Sequence, residues 1–214
     1  MSADFGVGSA LARLKPDRPL IIADADEVIF RFVDGFERFL HAQDLYLDLT
    51  SYRLHGNIKR LDDHTPLIDV EVTVLLDEFR QNLDSLEAVD GARDALTRLS
   101  AVAGVVVLSN ITEAQAPARR RNLLALSLDF PLIANSGPKG PAVKVLAART
   151  SAAAFFIDDL PQHLASVAEL APKVLTIHLV GDPRLRGLLP TSIHANCRAD
   201  GWPAAEAFIA ANLT

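Results

Sequence analysis

A single cysteine, Cys197, in 214 residues leaves no partner for an internal disulfide and suits a reducing compartment. Long apolar runs are also missing: none approaches the roughly 18 residues that a membrane-spanning helix needs. Met1 to Ala10 carry no basic region ahead of an apolar core, so no secretory signal is expected. Positive charge is in short supply. Lys and Arg number 21 against 27 Asp and Glu, for a net charge of −6 and a pI near 5.5. The one unbroken basic run is Arg119-Arg120-Arg121. Nucleic acid or an anionic membrane would ask for a basic face, so neither is an expected partner. No internal repeat or low-complexity segment occurs, although Ala and Leu are abundant. The expectation is a soluble cytoplasmic protein, monomer or homodimer. Half of the chain is hydrophobic, enough for a sizeable core. The length allows one ordinary domain plus a smaller insertion.

The most informative stretch is Leu20-Ile21-Ile22-Ala23-Asp24-Ala25-Asp26-Glu27-Val28-Ile29-Phe30. Its unbroken apolar start suits a strand buried on both faces of a parallel sheet. It then stops at two carboxylates two positions apart. In an extended chain residues i and i+2 point the same way. Asp24 and Asp26 are therefore expected to reach one site at the carboxyl end of the strand, where open α/β sheets bind ligands.

Residues 1–18 read as a short amphipathic lead-in with Leu11 and Leu14 on one face, ended by Pro16 and Pro19. The first strand runs to Asp24. Spacing predicts a helix over Val33 to Ala42, another over Ile68 to Leu86, and a third on Ala92, Ala95, Leu96 and Leu99 with Asp90 as its N-cap. No clear strand is expected between Phe32 and Leu99. Beyond it, strands are predicted at Val105–Leu108, Leu132–Ala134, Phe155–Ile157 and Val174–Val180, with a weaker one at Ser192–Asn196. Helices alternate with them: one carrying Leu123, Leu124 and Leu126 and broken near Pro117, two opened by Pro141 and Pro161, and a last one over Pro203 to Ala211. This alternation predicts an α/β fold, a doubly wound parallel sheet with right-handed crossovers. The core would comprise residues 1–31 and 100–214, with a small helical cap of residues 32–99 over the carboxyl edge.

Three of these strands end in residues suited to one chemistry: Asp24 and Asp26, Ser109 and Asn110, Asp158 and Asp159. Lys139 lies in a loop, Gly137-Pro138-Lys139-Gly140-Pro141, at the same edge. Two carboxylates about 4 Å apart repel by about 4 kcal/mol at an effective dielectric near 20. Converging acids therefore call for a cation, and oxygen-only ligands with room for water suit Mg²⁺. Lys139 adds positive charge, and Ser109 with the amides that follow offers donors to a dianionic group.

Together these motifs resemble the haloacid dehalogenase superfamily of hydrolases, mostly phosphatases. The first is similar to the D-x-D-x-V/T signature at Asp24-Ala25-Asp26-Glu27-Val28. The others resemble the Ser/Thr-ended strand at Val107-Leu108-Ser109-Asn110, the lysine before a Pro-started helix at Lys139-Gly140-Pro141, and the acidic pair at Phe156-Ile157-Asp158-Asp159. The insertion matches the branch with a helical cap after the first motif. One departure is Glu27, where relatives commonly carry Gly. The resemblance implies a Rossmann-like core and a Mg²⁺-dependent phosphomonoester hydrolase acting on a small phosphorylated metabolite. Asp24 would be the nucleophile, forming an aspartyl-phosphate, and Asp26 the general acid and base. Asp24, Asp26 through its backbone carbonyl, Asp158 and Asp159 would hold the metal. Ser109, Asn110 and Lys139 would bind the phosphoryl group.

Three alternatives share the motifs. A phosphomutase would pass the phosphoryl group to a sugar hydroxyl. A 2-haloacid dehalogenase would use Asp24 on carbon and need neither Mg²⁺ nor Asp26. A non-catalytic protein would only bind a phosphorylated ligand. In the insertion, Arg53, His55, Lys59 and Arg60 are candidates for contacting the leaving group, as is Arg31, though a solvated basic turn explains them equally. Lys144 is the substitute for Lys139. His163 and His178 read as scaffold.

Overall fold

The computed structural model describes residues 5–81, 83 and 86–213. The first four residues of the expected lead-in lie outside them, as do Asn82, Asp84 and Ser85 of the helix expected to run to Leu86. In chain order the elements are α1 (Val7–Leu11), β1 (Leu20–Ala23), α2 (Phe32–His41), β2 (Leu45–Leu47), β3 (Ile58–Arg60), α3 (Asp69–Gln81), α4 (Ala92–Val102), β4 (Gly104–Ser109), α5 (Ala116–Ala125), β5 (Leu132–Ala134), α6 (Gly140–Ala147), β6 (Ala154–Asp158), α7 (Pro161–Leu170), β7 (Leu175–Leu179), α8 (Pro183–Arg186), β8 (Cys197–Ala199) and α9 (Trp202–Ala211).

Six strands form one parallel sheet in the order β5-β4-β1-β6-β7-β8. This is the doubly wound α/β arrangement that the alternation predicted. The order reverses beside β1, which pairs with β4 on one side and β6 on the other, so its carboxyl end is the switch point where such sheets open a crevice. Side chains alternate cleanly between two apolar layers. Ile21, Val105, Val107, Phe155 and Ile157 pack on the side that also buries Leu96 of α4, Leu123 of α5 and Ile209 of α9. Leu20, Ile22, Val106, Leu108 and Phe156 pack with Val143 of α6 and Leu164 of α7 on the other. β1, β4 and β6 are thus buried on both faces, which is why their sequences are continuous apolar runs.

Several expectations need correction. Two strands do occur between Phe32 and Leu99: β2 and β3 pair antiparallel, with Tyr46 opposite Lys59. Each has three residues, too few for alternation to show. Gly91, with φ 79°, precedes α4, and Asp90 caps nothing there; its carboxylate meets Arg31 at 2.7 Å. Pro117 opens α5 rather than breaking it, because the first turn has no hydrogen bond for proline to remove. The last strand is Cys197–Ala199, beyond Ser192–Asn196. Helix α8 has no counterpart among the expected elements.

Within 32–99, α4 packs on α9 and β4 of the sheet layer, and α2 packs on β2. Phe32, Phe36 and Phe39 of α2 surround Phe79 of α3, with ring centroids 5.2, 5.2 and 5.4 Å from it. Gly35 permits this approach: a Cβ there would lie 2.2 Å from Leu86 Cδ2. Among the described residues no helix is long and apolar enough to cross a membrane.

Candidate active site

β1 ends at Ala23, and register places Ala23 level with Val107 of β4 and Ile157 of β6. The next residues along, Asp24 and Asp158, are therefore neighbours, and the Asp24 amide donates to the Ile157 carbonyl at 2.9 Å. One carboxylate oxygen each from Asp24, Asp158 and Asp159 lie within 4.8 Å of one another, and all three residues are buried. Lys139 sits among them at the start of α6, its ammonium 2.5 Å from Asp24 Oδ1 and 2.7 Å from Asp158 Oδ2. Asp158 Oδ1 accepts from the Leu160 amide at 2.9 Å. Lys139 is placed by a close helix contact. A Cβ on the adjoining Gly140 would lie 2.3 Å from the Ser166 carbonyl oxygen of α7, so only glycine fits.

Charge in this cluster does not balance. Three acids share one ammonium. Burial pushes the Asp24 carboxyl up to about 6, against the pull of Lys139 and with a further push from Asp158 and Asp26. Burial and its neighbours Asp158 and Asp24 push Asp159 well above the carboxylate range. Asp158 is raised by burial against Lys139. Burial alone would lower Lys139, but Asp158 and Asp24 overcome it and hold the ammonium charged. A buried cluster of carboxylate oxygens with this excess of negative charge has the donor chemistry of a hard divalent cation.

Asp26 behaves differently from the expectation. The extended geometry that would align it with Asp24 ends at Ala23; residues 24–30 form a turn in which Asp26 bridges to Phe30. The Asp26 carboxylate leaves the acid cluster and pairs with Arg119 of α5. That guanidinium is fully buried, lies 4.9 Å from the centroid of Phe30, and has an Nε with no hydrogen-bond partner among the described residues. The turn is fastened from outside by Trp202, whose Nε1 donates to the Val28 carbonyl at 2.7 Å. Glu27 has φ 58°, the left-handed region that glycine adopts freely. Its buried carboxylate accepts from the Val33 amide at 2.7 Å, and burial pushes it up to about 8 despite that bond.

A cavity of about 760 Å³ opens over this edge. Asp24, Asp26, Asn110, Lys139 and Asp159 line it, whereas Ser109 and Asp158 are fully buried and form no part of its wall. Ser109 Oγ has no partner among the described residues. Asn110 is braced by Asn135, which donates to its Oδ1 at 2.7 Å, and by its own bond to the Gly137 carbonyl at 3.0 Å.

Of Arg53, His55, Lys59 and Arg60, only Arg53 lines the cavity. Lys59 pairs with Asp48 at 2.6 Å, Arg60 with Glu71 at 3.3 Å, and His55 meets Thr73 at 3.3 Å on the surface. Arg31 pairs with Asp90 and Asp34 away from the site, and Lys144 is exposed. Sequence reasoning did not single out Tyr52, Arg80 or Arg119. Tyr52 reaches down from the 48–57 loop and donates to Asp159 Oδ2. Arg80 of α3 and Phe32 share the cavity wall. His163, expected as scaffold, lines the cavity too; burial and Lys139 lower it to about 4, so the ring is neutral, and its Nδ1 has no partner among the described residues. His178 is scaffold as expected. Its Nδ1 accepts from the Ser192 amide at 3.1 Å, which puts the proton on Nε2 to donate to the Asp159 carbonyl at 2.8 Å.

No family model and no curated protein sequence matches the chain. Solved structures do. A haloacid dehalogenase-like protein of unknown function from Agrobacterium tumefaciens aligns over 90 % of this chain and 97 % of its own, with a TM-score of 0.61 and 17 % identity. A defluorinating L-2-haloacid dehalogenase aligns over 90 % and 95 %, with a TM-score of 0.59 and 12 % identity. A candidate HAD-type hydrolase of Bacillus subtilis, in a magnesium-bound structure, aligns over 92 % and 100 %, with a TM-score of 0.58 and 15 % identity. At these identities the likeness establishes the fold, a haloacid dehalogenase-like one.

Proposed function

We propose that this protein is a metal-dependent phosphomonoester hydrolase of the haloacid dehalogenase superfamily, acting on a small phosphorylated metabolite beneath a cap built from the part of residues 32–99 that precedes α4, which itself packs on the sheet. The observation that carries the reading is the buried Asp24–Asp158–Asp159 cluster with Lys139 at the sheet's switch point. The donor set fits Mg²⁺: Asp24, Asp158 and Asp159 would hold it, and Asp26 could join only through its backbone carbonyl, since its carboxylate is committed to Arg119. When bound, the ion offsets the repulsion between a carboxylate nucleophile and a phosphate dianion.

The chain's own groups divide the remaining work. Lys139 holds Asp24 by Oδ1, leaving Oδ2 free to attack phosphorus and form an aspartyl-phosphate. For the leaving alkoxide to take a proton from Asp26, which lies on the cavity wall, that carboxyl must first be protonated and turned away from Arg119. Asp26 then accepts a proton from water, the water oxygen attacks phosphorus, and phosphate departs with Asp24 restored. Asn110, on the cavity wall, would meet the phosphoryl oxygens; Ser109 Oγ, buried behind the wall, is left without a partner among the described residues, which fits a donor kept for the same group. Phosphoryl transfer is mainly positioning and charge stabilisation, so this inventory suffices. A 2-haloacid dehalogenase would need neither a metal nor an acid at position 26, so the metal-suited acid cluster and Asp26 on the cavity wall favour the phosphatase reading.

The test is an assay of the purified protein against a panel of phosphomonoesters, with and without Mg²⁺, beside Asp24→Asn. We expect hydrolysis that needs the metal and falls at least about 10³-fold in the variant. Hydrolysis that survives Asp24→Asn, or no turnover across the panel by folded protein, would overturn the reading.

A further inference from the structure

Arg13, Arg31, Arg38, Lys59, Arg60, Arg98, Arg119, Arg120, Lys139, Arg184 and Arg198 each meet a carboxylate, whereas the two arginines on the cavity wall, Arg53 and Arg80, do not. Both line the 760 Å³ cavity, and neither guanidinium donates a hydrogen bond to a described residue. Arg80 is half-buried, with its Cζ 5.8 Å from the Phe32 centroid and its buried Nε unpartnered. For the half-buried Arg80, desolvation without an anion costs stability, and a ligand that supplies the anion recovers it; Arg53 is exposed and adds only its free donors at the cavity mouth. The cavity's acids are already engaged: Asp24 by Lys139, Asp26 by Arg119, Asp159 by Tyr52, and Glu27 by the Val33 amide. Glu169, the remaining acid on the wall, is exposed near the end of α7. The cavity therefore has an acidic floor at the sheet edge and a basic side contributed by the insertion.

From this placement we infer that the substrate carries a second anionic group, a carboxylate or another phosphate, at the end remote from the reacting phosphoryl group, and that Arg53 and Arg80 select it. The inference rests on the phosphatase reading for the position of the reacting end. A guanidinium presents a planar fork of donors that matches either oxyanion, and stacking on Phe32 holds the Arg80 fork in place. A neutral sugar or alcohol phosphate would leave both arginines without an anion.

The experiment compares ω-phosphorylated hydroxy acids of increasing chain length with their carboxamides and with the matching diol bisphosphates. Wild type, Arg53→Gln, Arg80→Gln and Arg80→Lys are assayed with Mg²⁺. We expect kcat/KM for the acid or the bisphosphate to exceed that of the amide by about 10- to 100-fold, expressed mainly in KM. Each Gln variant should bring that ratio close to one, and Arg80→Lys should keep part of it. Whether acid or bisphosphate is preferred identifies the anion. A wild-type ratio near one, or Gln variants that depress acid and amide equally, would overturn the inference. Arg53 is exposed on a loop, so its variant stays informative even where Arg80→Gln impairs folding. Calorimetric binding of the same acid and amide separates this inference from the catalytic one. Tighter binding of the acid, lost in the Gln variants, sustains it even without turnover, and equal binding sinks it.

Discussion

The sheet edge and the insertion above it treat charge in opposite ways. At the carboxyl ends of β1 and β6, carboxylates outnumber cations, and every acid has a partner: Lys139 and the Leu160 amide from the core, and Tyr52 reaching down from the insertion. In the insertion, two arginines face the same cavity with no acid to meet them. The edge is prearranged for one reaction, because its groups are held by register and by helix starts. The insertion leaves donors open, which is what a surface that chooses among substrates needs. Chemistry and choice thus come from different parts of the chain.

The largest effect should come from removing the edge's one cation. Lys139→Ala leaves Asp24, Asp158 and Asp159 buried together, a loss of about 3–5 kcal/mol of stability at neutral pH by denaturant titration. Because Asp24 titrates at about 6 and Asp159 well above the usual range, the loss should shrink as pH falls toward 5. A cost that ignores pH would mean that the cluster is not electrostatically strained and would erase the contrast with the insertion.

The Asp26–Arg119 pair should respond unequally to loss of either partner. Asp26→Asn strands a guanidinium whose side chain is 0 % exposed, at a cost of about 3–5 kcal/mol. Arg119→Met leaves a carboxylate whose side chain is 23 % exposed and able to hydrate, so less than half of that loss is expected. Equal losses by thermal melting would show that the pair acts as a surface bridge.

How far this molecule can be read from its chain follows the same division. Asp24, Ser109, Asn110, Lys139, Asp158 and Asp159 were legible because parallel strands put all their carboxyl ends on one side, so motif order alone brings them to one edge. Asp26 does reach the cavity beside Asp24, but its pairing with Arg119 was not foreseen, since the alternation of a strand was carried past Ala23 into a turn. Tyr52 and Arg80 were not visible, because their reach depends on how the 48–57 loop and α3 fold over the edge. Arg119 was read only as part of the short basic run Arg119-Arg120-Arg121, and nothing in that run marks which member turns inward.

Glu27 belongs to neither pattern, being a scaffold acid with no cation. Its folded value of about 8 against an ordinary 4.5 means that folding takes up a proton between those limits. Stability is therefore full below about 4.5, declines as pH rises through that window, and levels off above 8. Glu27→Gln keeps an acceptor for the Val33 amide and removes the charge. The variant should match wild type near pH 5 and exceed it by about 4 kcal/mol near pH 9. Parallel stability curves would mean that Glu27 stays ionised throughout.

The smallest effect tests where the insertion hands back to the core. Asp90 looks like an N-cap in sequence, yet Gly91 takes that place and Asp90 instead meets Arg31, with side-chain exposures of 91 % and 35 %. An exposed pair of this kind is worth less than about 1 kcal/mol and is screened by salt. A true capping aspartate is worth about 1 kcal/mol through a short bond to a backbone amide, which salt screens far less. Asp90→Ala should thus cost little at low ionic strength and nothing measurable at 1 M salt, where the Debye length is about 3 Å. A loss that persists in salt would return Asp90 to the helix and move the start of α4 one residue earlier.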